Sequence, residues 1–336
     1  MNREKNVNKA ILIGAGPSAL VAAKGLAKKG WEVEIFEALD RVGGLCRSFQ
    51  WNEYIVDIGP HVFHTSDNQL EEYWKKNFND LLIEGTYWSQ NVQGKSFDKF
   101  YDYPLSWESI SLYPKDIKEN ILKEISELDM YNKANAKSYK QYIDSIAGKT
   151  LRKMFFERFP EKLWGIPVTQ MTADWAPKRV NIYEKKTPFF NKQWTAVGKN
   201  GAGAIYERIA DDIKNFRGKI NLNNKIINID HDGSRVNSIS TIDKVIEVRD
   251  KDIVISTIPL VSLLKMLGHK SNLKFRGVII FYVDCLIKQV LPNGISWQYY
   301  DSSKVYFTRI TEPKQMGVSS PSKDKTLITI EVPFSA

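Results

Sequence analysis

Gly14, Gly16 and Ala19 stand at the G-x-G-x-x-A spacing that lets a backbone wrap a pyrophosphate. Gly14 permits a tight turn, Gly16 lets the main chain approach the phosphates, and Ala19 keeps a helix close to its sheet. Pro17 and Ser18 lead into that helix, whose N-terminal N–H groups favour an anion. Glu37, at the end of the next apolar run, is placed to accept hydrogen bonds from adenosine ribose hydroxyls. A second pair, Gly43-Gly44, lies between Arg41 and Arg47. Adjacent glycines expose backbone N–H groups, and the two guanidiniums can add charge-assisted contacts to a diphosphate. NAD(P) and FAD share the first fingerprint, so these residues by themselves specify a dinucleotide and leave its identity open.

Such a loop needs a βαβ frame. Lys9–Ile13 reads as a strand, Leu20–Lys29 as a helix stopped by Gly30, and Trp31–Phe36 as a second strand. Ser48–Trp51 and Tyr54–Ile58 alternate about Asn52-Glu53 as a hairpin does. From about Asn68 to Tyr183 the pattern changes to long helical stretches rich in aromatics, the mark of an inserted domain. The α/β character returns between Gly198 and Pro259, with a helix at Ala204–Lys214, strands at Lys219–Leu222, Lys225–Asp230 and Asp252–Thr257, and an Asp232-Gly233 turn. Beyond Arg276, Val278–Asp284, Ser296–Tyr300, Val305–Ile310 and Thr326–Val332 predict an antiparallel sheet. Two discontinuous domains therefore interleave.

Composition narrows the class of molecule. With 336 residues, 43% apolar and 26% charged, the chain is of globular, enzyme-like make-up and neither disordered nor fibrous. Its net charge of +9 is spread among acids with no basic block, which argues for solvated surface and against a nucleic-acid partner. The two cysteines, Cys46 and Cys285, suggest neither a disulfide framework nor a zinc site, and no metal is expected. No apolar run reaches membrane-spanning length, and the charged start is unlike a signal peptide, so a cytoplasmic protein is expected. A homo-oligomer is left open.

Arg41-Val42-Gly43-Gly44-Leu45-Cys46-Arg47, soon after Glu37, resembles the second glycine pair of the amine oxidase, protoporphyrinogen oxidase and UDP-galactopyranose mutase superfamily of FAD proteins. That resemblance implies FAD. Asp57-Ile58-Gly59-Pro60-His61-Val62-Phe63-His64-Thr65 is similar to the Gly-Pro-His-x-Phe-His-Thr stretch of bacterial UDP-galactopyranose mutases. It implies that Gly59, Pro60 and His61 run past the flavin ring and that His61 sets the ring's bend and redox behaviour. Further matches follow in the superfamily's order: Tyr103-Pro104-Leu105, Lys162-Leu163-Trp164-Gly165, Trp175-Ala176-Pro177-Lys178-Arg179, Gly201-x-Gly203 and Asn224-Lys225-Ile226, the last placing Ile226 at the cofactor. Tyr306-Phe307-Thr308-Arg309 resembles the strand whose arginine grips the nucleotide-sugar diphosphate, with a structural salt bridge as the other reading of Arg309. Tyr103 and Trp164 are implied to line the sugar pocket, Trp164 with core packing as its alternative.

The resemblance covers essentially all of the chain and implies an α/β fold: a Rossmann-like FAD-binding domain of GR2 type over 1–67 and 195–270, interleaved with a helical and antiparallel-sheet substrate domain over 68–194 and 271–336. It implies a flavoenzyme like UDP-galactopyranose mutase, interconverting ring forms of a UDP-sugar for polysaccharide biosynthesis with no net oxidation. His61 and Arg309 are then its candidate catalytic residues. An FAD oxidoreductase of the protoporphyrinogen or amine oxidase type is the alternative, and a non-catalytic FAD-fold protein a third. Two departures bear on the substrate: Tyr183 stands near where bacterial mutases place an arginine, and Val197 replaces a proline. Superfamily members continue into a strand and helix that return to the flavin, so a chain ending at Ala336 is expected to be shortened or to hold FAD weakly.

Overall fold

The run Lys9–Ile13 is an inner strand of a four-stranded parallel sheet in the order Lys219–Asn221, Glu32–Phe36, Lys9–Ile13, Ile253–Ser256. In this computed structural model, residues 7–94, 96–128, 133–175 and 180–335 are described. The charged start and residues 176–179 of the Trp175–Arg179 match thus lie outside the described residues. Contacts divide the chain into two units: Met1–His61, Trp74–Leu82 and Val197–Lys274 form the first, and Val62–Tyr73, Ile83–Ala196 and Phe275–Ala336 the second.

In the first unit, Ala10, Ile11 and Leu12 are fully buried, as expected of a strand covered on both faces. Ile11 and Ile13 join Phe36, Ile226, Ile229, Ile239 and Ile246 in one apolar cluster. The helix Pro17–Lys28 follows the first strand at once; proline at its start costs nothing, because the first N–H groups of a helix have no intrahelical partner. The hairpin of Ser48–Trp51 with Tyr54–Asp57 forms as its alternation requires. Three short antiparallel strands, Asn228–His231, Val236–Ser240 and Val245–Glu247, stand apart from the parallel sheet. The strand expected from Lys225 therefore starts at Asn228, and Ile226 instead packs in the apolar cluster.

The second unit corrects three expectations. Its segment after Asn68 is not helical throughout: Trp88–Gln93 and Lys99–Tyr103 are strands, and they join the C-terminal ones in a six-stranded sheet. That sheet is mixed, because Ile295–Tyr300 runs parallel to Trp88–Gln93 while the other pairings are antiparallel. The expected strand Val305–Ile310 begins at Arg309; residues 301–308 form a loop, closed where Tyr300 N–H donates to Thr308 O at 2.9 Å. Against the sheet lies a helical layer whose core includes Ile110, Ile121, Tyr139, Ile143, Leu151 and Phe155. The helix Tyr139–Leu151 opens on a capping box in which Ser138 and Gln141 satisfy each other's backbone N–H.

Candidate functional site

The glycine loop of the first unit is built for close backbone approach. Gly14 has φ +95°, and its N–H donates to Phe36 O at 2.8 Å. A Cβ there would come within 2.8 Å of Thr257 Oγ1, so both conformation and space require glycine. Gly16 caps the helix Pro17–Lys28 with no side-chain hydrogen bond, and the first turn, which includes Ser18 and the buried Ala19, has no acidic residue. The helix end is thus left open for an anion. The two glycine motifs meet: Gly43 N–H donates to Ala15 O at 2.8 Å, and a Cβ on Gly44, at φ +55°, would lie 3.0 Å from Gly16 Cα.

Glu37 is buried beside this loop, with Oε2 accepting Ala15 N–H at 2.7 Å and Oε1 accepting Leu39 N–H at 2.9 Å. Each carboxylate oxygen retains a lone pair for a ribose hydroxyl. The flanking arginines hold the loop itself. Arg41 pairs with Asp40 and donates to Ser48 O at 3.1 Å, while Arg47 donates to Gly44 O at 2.8 Å. An open helix end, backbone-lined glycines and a buried acid at the next strand's end fit the adenosine diphosphate portion of FAD.

Asp57, at the end of the hairpin, accepts Ser48 Oγ–H at 2.5 Å and Ala202 N–H at 3.0 Å. Burial pushes its carboxyl above the ordinary range. Gly59 and Pro60 then carry the chain to His61, whose Nδ1 is buried without a hydrogen-bond partner, 3.9 Å from Asp57 Oδ2. That distance is too long for a hydrogen bond, so a polar ring atom is left waiting.

The second unit holds a cavity of about 630 Å³ whose walls are largely aromatic. Tyr103 meets Tyr299 edge-on at 5.6 Å, and Phe159 meets Tyr299 at 5.0 Å. His64 stacks on Phe190 at 4.3 Å and bonds Gln193 through Nδ1 at 2.8 Å. Arg309 lies in the wall, its Nε and Nη2 donating to Glu331 Oε1 at 2.7 and 2.6 Å. Here the guanidinium is both salt-bridged and exposed to the cavity, so the two sequence readings of Arg309 are not exclusive. Tyr183 also lines the cavity.

Trp164 does not line it and is 43% exposed, whereas its neighbour Leu163 does. Sequence reasoning passed over His64, Gln193, Phe190 and Tyr299. Tyr299 had a usable signal: period-two alternation in Ile295–Tyr300 puts it on one face with Trp297. Among the described residues no group of His, Cys, Asp and Glu is arranged to hold a metal, and no helix is long and apolar enough to cross a membrane.

A family profile described as flavin containing amine oxidoreductase matches residues 18–276. The chain belongs to this family. The family is flavin-containing, and FAD is the cofactor it implies. Its curated relatives include a "Probable UDP-galactopyranose mutase" of Klebsiella pneumoniae, 25% identical over 60% of this chain and 52% of that protein. Another is a dTDP-fucopyranose mutase of Escherichia coli, 23% identical over 60% of this chain and 54% of that one. The chain spans about half the length of these relatives. A crystal structure of reduced UDP-galactopyranose mutase superposes with TM-score 0.77 at 20% identity, covering 98% of this chain and 75% of that one. An oxidoreductase from Methanosarcina mazei gives 0.65 at 16%, covering 96% and 78%. Both share the α/β fold of this flavin family.

Proposed function

We propose that this flavin protein acts on a UDP-sugar as a UDP-galactopyranose mutase-like enzyme. The observation that carries the reading is the cavity in which Arg309 stands among Tyr103, Phe159, Phe189 and Tyr299. Aromatic faces suit a nucleobase and a sugar ring, and a guanidinium suits a diphosphate. Glu331 takes two of the five guanidinium donors through a single oxygen and Tyr299 is hydrogen-bonded to the same group, which still leaves donors for phosphate while fixing the group's direction. Tyr103 is held for its part in the wall by Ser89, whose Oγ–H donates to Tyr103 O at 2.7 Å.

Bound FAD, once reduced, would supply the nucleophile. Gly14, Gly16, Pro17, Ser18, Ala19, Gly43 and Gly44 would hold its diphosphate, and Glu37 its ribose. Gly59, Pro60 and His61 would lie along the ring, with His61 Nδ1 offering a polar contact that the protein itself leaves unmet. The aromatic walls would exclude water from the reacting sugar.

The test is an absorption spectrum after addition of FAD, followed by dithionite reduction in the presence of UDP-galactose. Yellow protein whose reduced form yields the furanose sugar is expected. Bound FAD without turnover would sink the mutase reading and favour an oxidoreductase, the activity in the family's own description.

A further inference from the structure

Lys162 belongs to a motif from which the sequence reading took only Trp164, yet the structure gives Lys162 the more specific set of contacts. From the helix Arg158–Trp164 its ammonium donates to Tyr300 O at 2.8 Å, Ser302 O at 3.1 Å and Phe307 O at 2.6 Å. An ammonium has three protons, and all three go to carbonyls of one loop. That loop is bracketed by cavity residues: Tyr299 immediately precedes it, and Thr308 and Arg309 end it. The helix contributes Phe159, Pro160 and Leu163 to the same cavity. Its last carbonyls are capped from the strand Arg276–Cys285, where Arg276 donates to Leu163 O at 3.1 Å and Lys162 O at 3.0 Å.

We propose that Lys162 is a positioning residue: its ammonium clamps the 300–308 loop onto the helix and so sets where Thr308 and Arg309 meet an anionic ligand. A neutral amine has two N–H donors and one lone pair, so loss of the proton leaves a carbonyl unpartnered and turns a lone pair toward carbonyl dipoles. The clamp is therefore a charged one. The charged groups around it are Asp301 in the loop, Arg276 on the strand, and Glu161 on its own helix, whose Oε1 accepts Val168 N–H. Burial lowers the Lys162 ammonium to about 8, with the Asp301 carboxylate opposing the shift.

The proposal rests on the UDP-sugar reading only in its choice of probe. With the full chain, hydrogen exchange of peptides spanning 299–309 and calorimetric binding of UDP are measured for the wild type and for Lys162→Met. Exchange about tenfold faster in 300–308, with the strand Thr326–Ser335 unaffected, and UDP affinity about tenfold weaker are expected. In Asp301→Asn, which removes the carboxyl that titrates near 7 in the same loop, protection of that loop, corrected for intrinsic rates, should still fall as pH rises through the Lys162 titration at or below about 8, and this arm decides the matter even where Lys162→Met misfolds. Loop protection that is independent of pH and unchanged by Lys162→Met overturns the clamp. A wild type that binds no UDP overturns the nucleotide-sugar reading instead, and the exchange arm still judges Lys162.

Discussion

At Arg309 a ligand would meet a guanidinium whose counter-charge is already present, since Glu331 pairs with it at 2.6 Å and both groups are largely buried. Arg309→Ala should weaken UDP binding about tenfold or more, seen mainly in KM, and should cost about 1–3 kcal/mol of stability by leaving Glu331 unpaired. Adding Glu331→Gln to that variant should recover the stability and not the affinity; recovery of both would remove Arg309 from ligand binding. Asp301 gives a pH signature. Burial pushes its carboxyl up to about 7 from 3.8, although Asn91 Nδ2 donates to it at 2.7 Å. Its folded-state pKa is raised, so its contribution to stability is fully present below about 4 and lost as pH rises to about 7. Asp301→Asn keeps the acceptor for Asn91 and removes the buried charge, so its melting temperature should exceed the wild type's at pH 8 and match it near pH 4. A parallel pair of melting curves against pH would defeat that assignment. Arg309 and Tyr103, which both line one cavity, were singled out through the superfamily motifs in which they stand. Asp301 was not, because only burial distinguishes it from any loop aspartate.

The glycine elements make a different kind of prediction. A Cβ on Gly16 meets only Gly44 Cα, at 4.0 Å, whereas one on Gly44 would lie 3.0 Å from Gly16 Cα in a left-handed conformation. Gly16→Ala should therefore leave the apo-protein's melting temperature nearly unchanged and still weaken FAD binding. Gly44→Ala should lower both, with a stability loss of about 1–2 kcal/mol. Equal FAD affinity in Gly16→Ala and wild type would show that no phosphate lies against that backbone. The βαβ unit and the hairpin were readable because their periodicity, turn residues and register are local. The 300–308 loop was misread as the start of a strand: Val305–Thr308 has strand-like side chains, but its carbonyls at Tyr300, Ser302 and Phe307 are taken by Lys162, far away in sequence.

Across the whole molecule, ligand linkage offers a check that needs no substitution. FAD at a hundred times its dissociation constant should stabilise the native chain by about 2.7 kcal/mol and raise the melting temperature by a few degrees. No shift at millimolar FAD would mean that the cradle around Gly14, Gly16 and Glu37 does not hold the cofactor in this chain. The amino-acid sequence alone determined that cradle, because each requirement falls within a stretch of about thirty residues and rests on residue type: glycine where a side chain would collide, an acid at the next strand's end. It also pointed to two interleaved patterns, one α/β and one expected as helices followed by strands, and the strands Trp88–Gln93 and Lys99–Tyr103 correct the second. Only the tertiary structure decided that Trp88–Gln93 and Lys99–Tyr103 enter the C-terminal sheet, and that His64, Phe190, Tyr299 and Arg309 line one cavity. Those outcomes depend on strand pairing and packing between segments some two hundred residues apart, which local periodicity cannot encode.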